Sequence, residues 1–178
     1  MYRIDDIVDY LLAKGRKANG DGVTNIDIQK IIYLAQGWHL ALRGEPLFAE
    51  PIRAWIYGPA VEEVYHRLEQ YGDLPIPASE AAPNAARALP EGVRNLLDQV
   101  WTKYSRMNSH QLVELTHQPG PWCTARGSLP PTAKATTPLS LDEMRAFFSD
   151  KRKRDLRRAV RARPRADLMQ AWDAVGNG

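Results

Sequence analysis

The chain has 178 residues, of which 44% are apolar and 25% charged, and a net charge of +3. That is enough apolar chain for one packed domain with an appendage, and too much for an intrinsically disordered polypeptide. No run of about 18 apolar residues occurs, so no helical membrane span is expected, and the single Cys123 excludes an intrachain disulfide and suits a reducing compartment. The opening MYRIDDIVDYLL carries acids where a secretory signal needs a basic and then an uninterrupted apolar stretch, so the expected location is cytoplasmic. The charge is unevenly placed. Residues 151–165, KRKRDLRRAVRARPR, hold nine basic residues and one acid, which leaves residues 1–150 mildly acidic.

In chain order, Ile4, Ile7, Val8, Leu11 and Leu12 recur at helical spacing and predict a short amphipathic helix ending near Lys14-Gly15. A polar, turn-rich loop follows. Thr24 and Asp27 then make an N-terminal pair for a long central helix, whose face carries Ile28, Ile31, Ile32, Ala35, Trp38, His39 and Leu42. Gly44 and Pro46 stop it. Residues 50–57 read as extended, and Gly58-Pro59 reads as the opening of a second helix with Val61, Val64, Tyr65 and Leu68 on its apolar side, closed by Gly72. Residues 73–90, rich in proline and alanine, read as a connector and loop with no packed element of their own. Val93, Leu96, Leu97, Val100, Trp101 and Tyr104 predict a further helix, and Asn108 or Ser109 caps another through Leu112 and Leu115. Residues 127–140 read as linker or loop. Ser140 and Glu143 open a last helix that is apolar at Leu141, Met144, Phe147 and Phe148 and then strongly basic up to Pro164, with one more amphipathic turn at Leu168, Trp172 and Val175. The fold class is therefore mainly α: a helical domain over 1–126 with at most a small two-stranded β element near 50–57, a loop at 127–140, and a basic C-terminal helical extension over 141–178.

The chemistry-bearing residues do not assemble into a recognised catalytic pattern. His39, His66, His110, His117 and Cys123 lack the short spacings of zinc sites, and no phosphate-binding glycine loop or nucleophile elbow is present. Cys123 has His117 near it in sequence but no identifiable third group, so a packing cysteine is expected. Asp5-Asp6 and Glu62-Glu63 are adjacent pairs that point to different sides of a helix and suit its positive end. The expectation is a protein that is no enzyme and holds no metal or cofactor.

Four separated motifs, AQGWHLAL (35–42), EPLF (45–48), IRAWIYGPAVEEVY (52–65) and LTHQPGPW (115–122), together resemble the Panacea domain family, which includes phage-associated GepA-like and SocA-like proteins. The resemblance covers roughly residues 4–125. It places Trp38 and His39 at the family's Trp-His pair, Trp55, Tyr57, Gly58 and Pro59 at its tryptophan-x-tyrosine-glycine-proline turn, Glu63 and Tyr65 at its acid-x-tyrosine, and Thr116, His117, Pro121 and Trp122 at its second motif. Ala60-Val61-Glu62 and the alanine-rich loop at 77–90 depart from the pattern. The resemblance implies a largely helical, cytoplasmic antitoxin that binds a toxin encoded beside it. SocA-like members are adaptors that hand the toxin to a protease.

On that basis Trp38, His39, Trp55, Tyr57, Pro59, Glu63, Tyr65, His117 and Trp122 are the expected partner-binding residues, since rigid aromatic side chains anchor protein interfaces. They also build cores, and Gly58 and Pro59 suit any strand-to-helix junction. Lys151, Arg154, Arg158, Arg161 and Arg165 line one face of the last helix. That face is open to three readings: a solvated surface, a clamp for an acidic toxin surface, or a contact for nucleic-acid phosphates.

Overall fold

A computed structural model describes residues 1–130 and 132–162, with side chains described up to residue 155. The fold is built around α2 (Asn25–Arg43). Its start is fixed by a reciprocal capping box in which the Thr24 side chain accepts from the Asp27 amide and Asp27 accepts from the Thr24 amide. Gly44, left-handed at φ 79°, ends it. The expected face of Ile28, Ile31, Ile32 and Ala35 is buried, and so are Tyr33, Leu34 and the polar Gln29, Lys30 and Gln36. The helix is enclosed on most sides, not only on one stripe. Leu42, expected on the inward face, is 44% exposed.

The other helices clad α2. α1 (Ile4–Leu12) buries Ile7, Val8, Leu11 and Leu12. α5 (Glu91–Tyr104) buries Val93, Leu96, Leu97, Val100 and Tyr104, as the periodicity predicts. α6 (Ser109–Thr116) carries a second capping box, between Asn108 and Gln111. α8 (Leu141–Ala162) inserts Met144 and Phe148, both fully buried. Phe148 fits the notch left by Gly37, where a β-carbon would come within 2.2 Å of its ring, and meets Tyr33 and Trp38 edge-on at 5.7 and 5.5 Å. At the start of α8 the Glu143 amide donates to Ser140 Oγ at 3.3 Å.

Two expectations fail between residues 50 and 90. Gly58-Pro59 does not open a helix. Residues Gly58–Val61 form strand β2, paired antiparallel with β1 (Ile52–Trp55) in the register Ile52↔Val61 to Trp55↔Gly58, and helix α3 (Glu62–Leu68) begins only at Glu62. The two-residue turn Ile56-Tyr57 needs positive φ to reverse the chain, and Gly58 supplies it at 99°. Pro59 is tolerated because a two-stranded ribbon consists only of edges. The 73–90 stretch is also packed, through a short α4 (Ala85–Ala88) and the buried Ile76, Ala85 and Leu89. The Ile76 amide donates to the Val23 carbonyl at 2.7 Å.

Residues 137–139 lie along the free edge of β1: the Ala54 amide donates to Thr137 O and the Leu139 amide to Ile52 O, at 2.9 and 2.8 Å. Ala135 and Leu139 are buried. Among the described residues eight α-helices and one two-stranded sheet make a mainly α architecture, and no helix is long and apolar enough to cross a membrane. Of the basic face, Lys151 is half-buried and Arg154 exposed. The side chains of Arg158 and Arg161, together with Arg165, Leu168, Trp172 and Val175, lie outside the described residues.

Candidate partner-binding face at the hairpin

A four-residue strand pair is too small to be stable alone, and here buried polar side chains hold it. Gln29, one turn into α2, receives the Val61 amide at 2.7 Å and donates to the Val61 carbonyl at 3.3 Å. This reproduces the bonding of a third strand. Lys30, the next residue, donates from Nζ to the Pro59 carbonyl at 3.2 Å. Further along α2, Gln36 takes the Leu47 amide at 2.7 Å and donates to the Phe48 carbonyl at 3.1 Å, fixing the chain that leads into β1.

The second motif grips the hairpin from the other side. Helix α7 (Pro121–Arg126) begins with Pro at its first position. Its Trp122 Nε1 donates to the Trp55 carbonyl at 2.9 Å, and Arg126 donates to Ala54 O at 3.0 Å while lying over the Trp122 ring. His117, which ends α6, stacks on Trp122 with ring centres 4.0 Å apart. Burial, and then the nearby charges of Lys30 and Arg126, hold its pKa below the usual histidine value. The thiol of Cys123 donates to the His117 carbonyl at 3.3 Å, which accounts for it as a packing group. Thr116 Oγ1 and Lys30 Nζ crowd Gly58 so closely that a β-carbon there would lie 3.0 and 2.9 Å from them. Motifs 60 residues apart in sequence thus converge on one turn.

What they support is exposed. Tyr57, at the hairpin tip, is 68% exposed, and Tyr65 on α3 is 40% exposed. Trp55 and Tyr65 meet edge-on at 5.2 Å. Beside them opens a cavity of about 570 Å³, walled by Trp55, Tyr57, Tyr65 and Ala60 and by residues 134–136, with Lys30 on its floor. Glu62, Glu69, Asp73 and Lys134 are the charged residues that line it besides Lys30. Glu62 pairs with Arg53 at 3.6 Å and Glu69 with His66 at 2.9 Å. Lys30 is 2% exposed, and burial lowers its pKa from 10.5 to about 7.

The expected partner-binding residues therefore separate into three groups. Trp55, Tyr57 and Tyr65 line the cavity at the hairpin face, whereas Glu63 is exposed on α3 but does not line it; Pro59, His117 and Trp122 brace the face from within; Trp38 and His39 lie elsewhere. Trp38 is about two turns further along α2 than Lys30; its Nε1 donates to Tyr104 Oη at 3.0 Å and Lys103 lies 5.0 Å from its ring. His39 is 5% exposed, and its Nδ1–H donates to the Glu45 carbonyl at 2.8 Å. Gln29 and Lys30 were not singled out by the sequence reading. The signal was available: α2 carries apolar residues on nearly every side, so its polar residues must be buried too. Among the described residues no group of three or more His, Cys, Asp or Glu is placed to hold a metal ion.

Residues 28–123 match the family model described as Antitoxin SocA-like, Panacea domain. Over 109 residues the chain is 27% identical to Antitoxin SocA of Caulobacter vibrioides (strain NA1000 / CB15N), an alignment covering 56% of this chain and 58% of that protein. The chain thus spans little more than half the length of that curated relative. No solved structure matches. The family match takes in most of α2 with Gln29 and Lys30, the hairpin, His117 and Trp122, and covers more than half of the sequence: the chain belongs to the SocA-like antitoxin family that carries the Panacea domain.

Proposed function

We propose that this protein is a non-enzymatic antitoxin that neutralises a protein toxin by binding it directly at the hairpin face. The observation that carries the reading is the exposed Tyr57 on a turn held rigid from both sides by buried hydrogen bonds. An aromatic side chain 68% exposed gains nothing from the fold, yet on a pre-ordered turn it loses little entropy when a partner covers it. The relative's name, Antitoxin SocA, agrees with this role. Binding at such a face asks for no covalent step. Trp55, Tyr65 and Glu63 extend the contact, and Trp38 and His39 support it through α2.

The test is co-expression with the adjacent open reading frame. That gene should arrest growth alone and be tolerated with the antitoxin, and Tyr57→Ala combined with Tyr65→Ala should abolish protection while the variant stays folded. Full protection by the double variant would refute the face. If the toxin's level falls when the antitoxin is present, the protein acts as an adaptor to a cellular protease through the same contacts. The nucleic-acid reading of the last helix rests on its exposed Arg152, Lys153 and Arg154. DNA affinity against salt, for the full chain and a chain ending at Asp150, separates it: equal and negligible binding by both removes it.

A further inference from the structure

Lys30 is placed where a lysine is expensive. Its side chain is buried among Ala60, Gly58 and Trp55, and its amine has one protein acceptor, the Pro59 carbonyl, although an ammonium can donate three hydrogen bonds. Among the described residues no carboxylate pairs with it, and burial alone accounts for its lowered proton affinity. The amine nevertheless lies on the floor of a 570 Å³ cavity that opens beside the exposed aromatic tip, large enough to admit a side chain from another polypeptide. Gly58 is what makes room for it, since any β-carbon there would collide with Nζ.

We infer that this cavity is a receptor for an acidic side chain, a glutamate or aspartate of the bound polypeptide, with Lys30 as its counter-ion and Trp55, Tyr57 and Tyr65 as its walls. The inference deepens the proposed function and rests on the hairpin face being the toxin-binding surface. A carboxylate would accept from the further N–H groups of the amine and supply an opposite charge where low dielectric makes that charge count most. A chain end would also call for backbone N–H donors around its carboxylate, whereas the floor presents the ammonium.

Of the charged groups lining the cavity, Glu62 and Glu69 are already engaged by Arg53 and His66, Asp73 opposes an incoming anion and Lys134 favours it. Burial first, and then the charges of Lys30 and Arg126, hold the His117 pKa down. The floor charge therefore decides. Because burial lowers the Lys30 pKa to about 7, a carboxylate bound beside the amine draws in a proton near neutral pH.

The probe is 3-phenylpropionate, an aromatic carboxylate, titrated into the full chain and followed by Trp fluorescence and amide NMR shifts. It is compared with 3-phenylpropionamide and 2-phenylethylamine. The carboxylate should saturate at about ten millimolar or below, as expected for a ligand of this size. Its shifts should centre on Lys30, Trp55 and Gly58, and the amide should bind at least about tenfold more weakly. Affinity should fall several-fold from about pH 6.5 to about 8.5, with proton uptake seen as a buffer-dependent heat. Lys30→Met should erase the preference for acid over amide, and Thr136→Trp, at an exposed position in the mouth, should weaken every probe. Overturning results are absent saturation, amide or amine binding as tightly as acid, pH-independent affinity, or selectivity that survives Lys30→Met. Failure of the probe with an intact effect of Tyr57→Ala on protection would remove the acidic occupant alone. Selective carboxylate binding without any effect of the tip variants on protection would remove the toxin-binding face.

Discussion

Replacing Lys30 by Met isolates the energetic consequence of burying an amine under the hairpin. The lysine has a folded-state pKa of about 7 against 10.5 as its ordinary value, which at 1.36 kcal/mol per pH unit means that a charged Lys30 costs roughly 5 kcal/mol. The sign follows from proton binding. Between about pH 7 and 10.5 the unfolded chain holds a proton on this amine that the folded chain releases, so stability rises with pH across that window; below about 7 both states are charged and the full penalty remains. Methionine carries no such penalty but leaves the Pro59 carbonyl without its donor, at about 1–3 kcal/mol. Lys30→Met should therefore be more stable than wild type by roughly 2–4 kcal/mol near pH 6. That advantage should shrink by roughly 3 kcal/mol on going to pH 9. Urea unfolding of both proteins at matched pH values measures it, and groups common to the two cancel in the difference. A stability difference that stays flat to within about 0.5 kcal/mol over this range would mean that Lys30 titrates like a solvated lysine and that the floor of the cavity is wet.

The hairpin supports make separate predictions. Gln29→Leu removes both bonds to Val61 and leaves a buried amide and carbonyl unpaired, so urea unfolding should show a loss of about 2–4 kcal/mol. Gly58→Ala forces a side chain to φ 99° and into contact with Lys30 Nζ, and should cost about 1–3 kcal/mol in the same assay; an unchanged midpoint would deny the close approach. Tyr57→Ala should leave the melting curve within about 0.5 kcal/mol of wild type while weakening toxin protection. Trp38→Ala should instead unfold the protein by about 3–5 kcal/mol, so any loss of protection from it must track the folded fraction.

How much of this was legible depended on whether the signal was local. Thr24 with Asp27, and Asn108 as one of two cap candidates, mark helix starts because capping acts over three residues, and both residues cap in the structure. The α5 stripe was legible for the same reason: Val93 to Tyr104 bury one face of an otherwise polar helix. Gly58-Pro59 misled because the pair is ambiguous on its own. Whether it opens a helix or lies in a strand is decided by Gln29 and Lys30, some 30 residues earlier, which claim the carbonyls of Val61 and Pro59. The aromatic motifs could be located but not oriented. Trp38 and Tyr57 are both rigid rings in family motifs, yet Phe148 from the far end of the chain covers one and nothing among the described residues covers the other. Residues 137–139, inside the stretch that reads as loop or linker, pair with β1 through backbone groups, which composition does not report.

The arrangement separates two demands that usually conflict. A partner surface gains affinity from large exposed rings on an ordered backbone, but a short exposed hairpin with such rings has no core of its own to order it. Here the ordering comes from behind, through Gln29, Lys30, Trp122 and Arg126, none of which has to touch the partner for its hydrogen bonds to work. Three of the four use neutral groups or a cation shared among several acceptors, and are satisfied in place. Lys30 differs: its bond to Pro59 would be made as well by an asparagine or glutamine reaching the same carbonyl, without a charge to bury. A brace alone does not call for an ammonium. The charge becomes useful only when the cavity above it is filled by something negative, and the hairpin would then be firmest in the state in which its tip is also covered.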